Sequence, residues 1–178
     1  MNKPNVFYVS ILMLSILLII SCGKKEPPEP GRYYNKAHKF SIKMPNIWQF
    51  KENHLGAAVV AFSPQDGPDD KFFENVSISV ERLGLDISSE EFAQDNLARM
   101  DMYLKDFVKL DSGTAIIDNR ETHWSIYTHH NGPEPVKAIT YSFAYKKRGY
   151  LITGAAAPDQ FDKYKGAFNL ITGSFKLE

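Results

Sequence analysis

A single cysteine in 178 residues leaves no room for an internal disulfide or a cysteine-built zinc site, since each needs at least two thiols. Net charge is lacking as well: 21 Lys and Arg balance 21 Asp and Glu, so no global field draws the chain to nucleic acid, and no nucleic-acid partner is expected. The apolar run at residues 6–20 has fifteen positions, short of the roughly 20 needed to cross a hydrocarbon core as a helix. There is no Gly-x-x-x-x-Gly-Lys phosphate loop and no Gly-x-Ser-x-Gly elbow, and Ser112 and Ser174 have no base at a recognisable position.

What is present is ordinary globular chemistry, 43% hydrophobic and 24% charged, which predicts one folded domain. Ahead of it, Lys3 and the apolar run 6–20 form the n-region and h-region of an export signal. The run ends in Ile19-Ile20-Ser21-Cys22, which resembles the lipobox of bacterial lipoproteins. That resemblance implies a signal peptide over 1–21, a diacylglyceryl thioether and N-acylation on Cys22, and a mature chain that begins there. Gly23, rather than Asp, follows the cysteine, which in a Gram-negative cell resembles cargo for the outer membrane facing the periplasm. Loss of residues 1–21 takes one lysine with it and leaves 20 basic against 21 acidic side chains. Residues 22–32 carry three prolines and no large apolar group, and read as an extended spacer between the anchor and a domain at 33–178.

Within the domain the hydrophobic period switches between 2 and 3.6. Strands are expected at 40–44, around Trp48 and Phe50, at 57–62 and at 74–81, where Val76, Ile78 and Val80 alternate with polar residues. Ser88 and Glu91 form a capping box and Ile87 and Phe92 a hydrophobic staple, which start a helix of about five turns carrying Phe92, Leu97, Met100, Leu104 and Phe107 on its inner face. Strands follow at 108–110, 114–117, 120–130, 136–146 and 150–157, with turns at 111–113, 131–133 and 147–149. A second helix over 159–170 turns Phe161, Tyr164 and Phe168 inward, before a terminal 174–177 segment. Short spacers make the sheet antiparallel, and the order of elements makes the fold α+β, an antiparallel β-sheet flanked by helices.

The run Phe40-Ser41-Ile42-Lys43-Met44-Pro45 with Trp48, then 73–78, the helix start at 88–92, the Gly149–Gly154 strand, and Tyr164, Phe168, Ile171 and Ser174-Phe175 together resemble the PsbP-like proteins. That superfamily includes the DcrB-type bacterial lipoproteins and shares a fold with the nuclear-import factor Mog1. The resemblance implies an α/β/α sandwich and a non-catalytic protein, not an enzyme, that docks on membrane complexes or other proteins. It carries over no functional residue, no cofactor and no metal. A small-ligand or metal-binding carrier or sensor in the cell envelope is the alternative.

The histidines do not form a metal site by sequence. His129 and His130 point to opposite faces of a strand, and His123 lies about 20 Å from His129 at about 3.3 Å per residue. His38 and His54 fall in loops or strand ends. Asp66, Asp69, Asp70 and Glu74 form an acidic loop without the spacing of a calcium loop. The basic run at 145–150 reads as a charged hairpin tip that can also meet lipid headgroups.

Two or three acyl chains, each contributing about 0.8 kcal/mol per buried CH₂, hold a chain on its membrane far more firmly than one. The full-length protein is therefore expected to enter the detergent phase on detergent partitioning, and the Cys22→Ala variant to move to the aqueous phase.

Overall fold

The computed structural model describes residues 29–178 apart from 69 and 71, so Cys22, the export signal and most of the spacer lie outside the described residues. Ten strands and two helices follow in the order β1 (Arg32–Asn35), β2 (Phe40–Lys43), β3 (Gln49–His54), β4 (Ala57–Phe62), β5 (Asn75–Arg82), α1 (Ser89–Tyr103), β6 (Lys105–Ile117), β7 (Arg120–Asn131), β8 (Glu134–Tyr145), β9 (Arg148–Ala156), α2 (Phe161–Gly173) and β10 (Lys176–Leu177). Seven strands form one antiparallel sheet in the order β3-β4-β5-β9-β8-β7-β6, and β1-β2-β10 form a smaller one. The fold is α+β with a helix against each face of the large sheet, as the element order predicts.

Register and strand alternation define the two faces. Val59, Ala61, Val76, Ile78, Ile126, Ile139, Phe143 and Ile152 point to one face, where α2 and the small sheet bury them. From α2 come Phe161, Phe168 and Ile171, and from the small sheet Phe40 and Ile42. Gly154 is the seat for Phe168: a Cβ there would lie 2.4 Å from the ring. On the opposite face Gly149 serves Phe92 of α1 in the same way, with a Cβ meeting the ring at 2.3 Å.

The N-terminal boundary of α1 is as the capping box predicts, the Glu91 N–H donating to Ser88 Oγ at 3.0 Å. Its end is not. The helix stops at Tyr103 with Leu104 as an extended C-cap, so it has four turns rather than five, and Phe107 belongs to β6, where its ring lies 5.3 Å from that of Tyr127. The expected inner stripe is only half realised. Phe92 is fully buried, Leu97 and Met100 partly, and the other buried residue of the helix is a polar one, Asn96.

Residues 111–113 form no turn. β6 runs through them with register shifts at 105–108 and 109–111, and Gly113 faces Trp124 across the ladder. A Cβ on Gly113 would sit 2.7 Å from the indole, so this glycine is a seat for an aromatic ring rather than a bend. The β8–β9 turn also sits one residue earlier than expected, at Lys146 and Lys147, both with positive φ (48° and 57°), as a two-residue hairpin of the primed type requires.

Overpacking a close-fitted core destabilises by about 1–3 kcal/mol, so Gly154→Ala should lower the free energy of unfolding by about that much in urea titrations. Gly166 of α2 has open space around it, and Gly166→Ala should raise stability by about 0.5–1 kcal/mol through helix propensity alone.

Candidate functional site

The face of the large sheet beneath α1 is built differently from the core face. Cross-strand register aligns Ser112, Ser125, Thr140, Thr153 and Ser77 in one row over five adjacent strands, β6-β7-β8-β9-β5. The next row places Thr114, His123 and Ser142 side by side. Tyr127 Oη and Thr140 Oγ1 are 3.0 Å apart, and Thr140 Oγ1 and Thr153 Oγ1 2.8 Å, a hydroxyl chain across three strands that satisfies the fully buried Thr140. Burial pushes the Tyr127 phenol up from its usual pKa while the bond to Thr140 opposes it. A hydroxyl floor of this kind offers α1 little apolar surface, and the helix rests on it mainly through Phe92, held at its start by the Ala144 N–H donating to Ser89 Oγ at 3.2 Å.

Between α1 and the floor runs a groove of ≈ 250 Å³, lined among others by Gln94 and Leu97 of the helix and Ser112, His123, Ser125 and Ser142 of the sheet. His123 Nε2 is enclosed without a hydrogen bond, although Glu121 Oε1 lies 3.2 Å from it, close enough for an ion pair but outside hydrogen-bond geometry. No hydroxyl among the described residues is hydrogen-bonded to an imidazole, so the serines around His123 are not assembled as a nucleophile and base. Sequence reasoning missed this constellation because its members come from four elements. The signal was available only as alternation, with Ser77, Ser125, Thr140 and Thr153 at the polar positions of their strands.

The other histidines are dispersed. His130 Nδ1 lies 3.2 Å from Asp106 Oδ2, while the His129 ring lies on the other face, 5.9 Å from that of Tyr127 and tilted by 32°. Among the described residues no group of three His, Cys, Asp or Glu side chains converges on a point.

In the acidic loop, Asp66 pairs with Lys163 of α2, and the two carboxylate oxygens of Asp70 accept the Asp66 and Phe72 N–H groups at 2.9 and 3.1 Å. Asp69 lies outside the described residues. Glu74 is 1% exposed, and its carboxyl accepts the Ser63 hydroxyl at 3.1 Å. At the β8–β9 tip, Lys146 and Arg120 lie over the Tyr145 ring at 5.0 and 4.5 Å, and Arg148 donates to the His38 carbonyl at 3.2 Å. The expected basic tip is thus partly tied down by its own fold.

No protein-family model matches the chain, and no curated protein sequence matches it significantly. Solved structures do. The solution structure of cyanobacterial PsbP, CyanoP, from Synechocystis sp. PCC 6803 superposes with a TM-score of 0.59 at 14% identity, covering 83% of this chain and 91% of that one. LpqN, involved in cell envelope biogenesis of Mycobacterium tuberculosis, gives 0.64 at 13% identity, with 84% and 86% covered. PA94 of Pseudomonas aeruginosa, a protein of unknown function described as a putative regulator, gives 0.59 at 12% identity over 80% and 93%. The chain has a PsbP-like fold. At these identities the likeness is one of fold, in agreement with what the strand, turn and core motifs imply.

Burial raises the pKa of Glu74 above its ordinary value, more than its backbone and Ser63 hydrogen bonds lower it. The folded state therefore holds this proton more tightly than the unfolded chain. The resulting contribution to stability is complete below the ordinary carboxylate pKa and is lost as pH rises through the raised one. Glu74→Gln keeps an acceptor for Ser63 and removes the buried charge. Its melting temperature should exceed that of the parent by more at neutral pH than at about pH 4, where both carry a neutral side chain.

Proposed function

We propose that this protein is a lipid-anchored lipoprotein of the bacterial cell envelope, tethered through Cys22 to the membrane, whose PsbP-like domain serves as a non-catalytic interaction or assembly module for envelope proteins. The observation that carries the reading is the pairing of the lipobox-like Ile19-Ile20-Ser21-Cys22 with a fold shared by LpqN, itself involved in envelope biogenesis. Among the described residues no helix is long and apolar enough to cross a membrane. The surface best suited to a protein partner runs from the end of α1 into β6. Met102 and Tyr103 at the end of α1 and Val108 and Leu110 on β6, the outermost strand of the sheet, are 73%, 77%, 54% and 51% exposed within nine residues of chain. An apolar group of this density on a folded surface marks a site of association.

A second reading, a carrier of a small polar ligand, has one observation in its favour. The hydroxyl-floored groove encloses His123 Nε2 without a hydrogen-bond partner, and a ligand donor or acceptor could satisfy it.

Tyr103→Glu and Leu110→Glu change exposed side chains and should leave melting temperature within a few degrees of the parent. In-cell crosslinking of the intact lipoprotein should recover a recurrent envelope partner, lost from both variants and from Cys22→Ala. Retention of the partner by both Glu variants would move the docking surface elsewhere, and absence of any partner would shift weight to the groove.

A further inference from the structure

We propose that the β3 edge of the large sheet, around Ile47 and Phe73, is the face that lies on the lipid bilayer, which turns the β6 edge away from the membrane. The inference rests on the Cys22 anchor proposed above and adds to it an orientation and a contact surface.

Its first support is where the tether enters the fold. Glu29 is the first described residue, and Lys43 and Arg32 grip it as an ion triad that holds its carboxyl down at about 2. The Met44 N–H donates to the Gly31 carbonyl at 3.0 Å, and a Cβ on Gly31 would touch Asn46 Oδ1 at 3.2 Å. The chain therefore enters the domain against the 44–47 segment, directly beside Ile47 and the start of β3. Cys22 precedes Glu29 by seven residues, which even fully extended reach at most about 25 Å. A compact body of this size has a radius of gyration of about 15 Å, hence a diameter near 40 Å. Across the large sheet, β3 and β6 stand about 29 Å apart at about 4.8 Å per strand. A leash shorter than the body, rooted at one edge, keeps that edge at the membrane and raises its effective concentration there.

The second support is the chemistry of the surface beside the root. Ile47 is 72% exposed and Phe73 49%, and they flank an open groove of ≈ 470 Å³ to which Phe62, Pro64 and Lys51 also contribute. Two of the acidic groups close by are paired, Asp66 with Lys163 and Glu29 with Lys43 and Arg32, while the exposed Glu52 of β3 has no ion pair among the described residues. Lys51 has no ion pair among the described residues, and its ammonium sits 5.7 Å from the Phe62 ring centroid. Lys24 and Lys25 follow the lipidation site in sequence. Exposed apolar side chains rimmed by unpaired lysine are what an interface of acyl chains and anionic headgroups accepts.

With Cys22 consumed as a thioether, one introduced cysteine is the only free thiol in the mature chain. The full-length lipidated protein would carry an environment-sensitive fluorophore at Ile47→Cys or Phe73→Cys, with Ile116→Cys on β6 and Leu170→Cys on α2 as controls that are 71% and 78% exposed. In protein-free vesicles of phosphatidylethanolamine and phosphatidylglycerol, the labels at 47 and 73 should brighten about twofold or more, shift to the blue and be quenched by brominated acyl chains, while those at 116 and 170 keep their aqueous emission. Lys51→Glu should weaken the response at both inner positions. Equal responses at all four sites, or none at 47 and 73, would overturn the orientation. A response that requires native membranes, absent from protein-free vesicles, would also overturn it and assign the face to a protein partner. Mass spectrometry of the N-terminal peptide reads the anchor independently. If Cys22 carries no lipid the anchor reading fails, and the contact surface then stands or falls on whether the unanchored chain, added to the same vesicles, still brightens at 47 and 73.

Discussion

The structure hangs on the ring of Phe175, which lies between the two sheets just before the last strand. It stacks on Phe40 of β2 at 5.4 Å and meets Phe143 of β8 and Tyr150 of β9 edge-on at 5.5 and 5.9 Å, while Phe143 and Tyr150 stack on each other at 4.9 Å. Aromatic contacts of this geometry add about 0.5–1.5 kcal/mol each beyond the area they bury. Polar ties reinforce the junction at its margin. Ser174 accepts the Lys43 N–H through its hydroxyl at 2.8 Å and an Arg32 N–H through its carbonyl at 2.9 Å, and the Leu177 N–H donates to Asp118 at 3.1 Å. β1 and β2 are thus locked to the C-terminal segment over the sheet, and the position of Arg32, next to the tether root, follows from the same junction.

With one face of the sheet committed to that junction, the other is free to be polar. The row Ser112-Ser125-Thr140-Thr153-Ser77 satisfies itself in part through the Tyr127–Thr140–Thr153 chain and seats α1 on hydroxyl groups. Arg99 of α1 also reaches Glu81 of β5 through two hydrogen bonds at 2.7 and 3.2 Å, on a part of the helix with few buried side chains. α1 thus buries one ring, Phe92, and one amide, Asn96, against the sheet, whereas α2 encloses the three apolar side chains Phe161, Phe168 and Ile171.

Most strand positions, the start of α1 and most of the core were legible in the sequence because alternation and capping are local signals. Val76, Ile78 and Val80 fall on the core face as their spacing implies, and so do Phe161 and Phe168. The failures share a cause, since each depends on a partner distant in sequence. Phe107 keeps helical spacing with Met100 and Leu104, yet the ring it packs against is Tyr127 on β7. Gly113 has the composition of a turn, and only the register with Trp124 shows what its missing Cβ is for. β1 was invisible because Arg32-Tyr33-Tyr34-Asn35 does not alternate and pairs only with β2. The hydroxyl row was unreadable for the same reason, as serine and threonine at polar strand positions look alike whether they face water or one another.

The seam between β5 and β9 has a kinetic meaning. β3-β4-β5 and β6-β7-β8-β9 are each meanders, in which every strand pairs with its chain neighbour, and only β5 against β9 joins them, from Asn75↔Ala155 to Arg82↔Arg148. Bringing Arg82 to Arg148 in an unstructured chain closes a loop of 65 intervening residues, a loop-length penalty of about 4 kcal/mol. If β6 to β9 are already folded into hairpins, the effective loop shrinks to little more than α1 and its flanks. Connectivity therefore favours an order in which the two local meanders form before the β5–β9 seam closes.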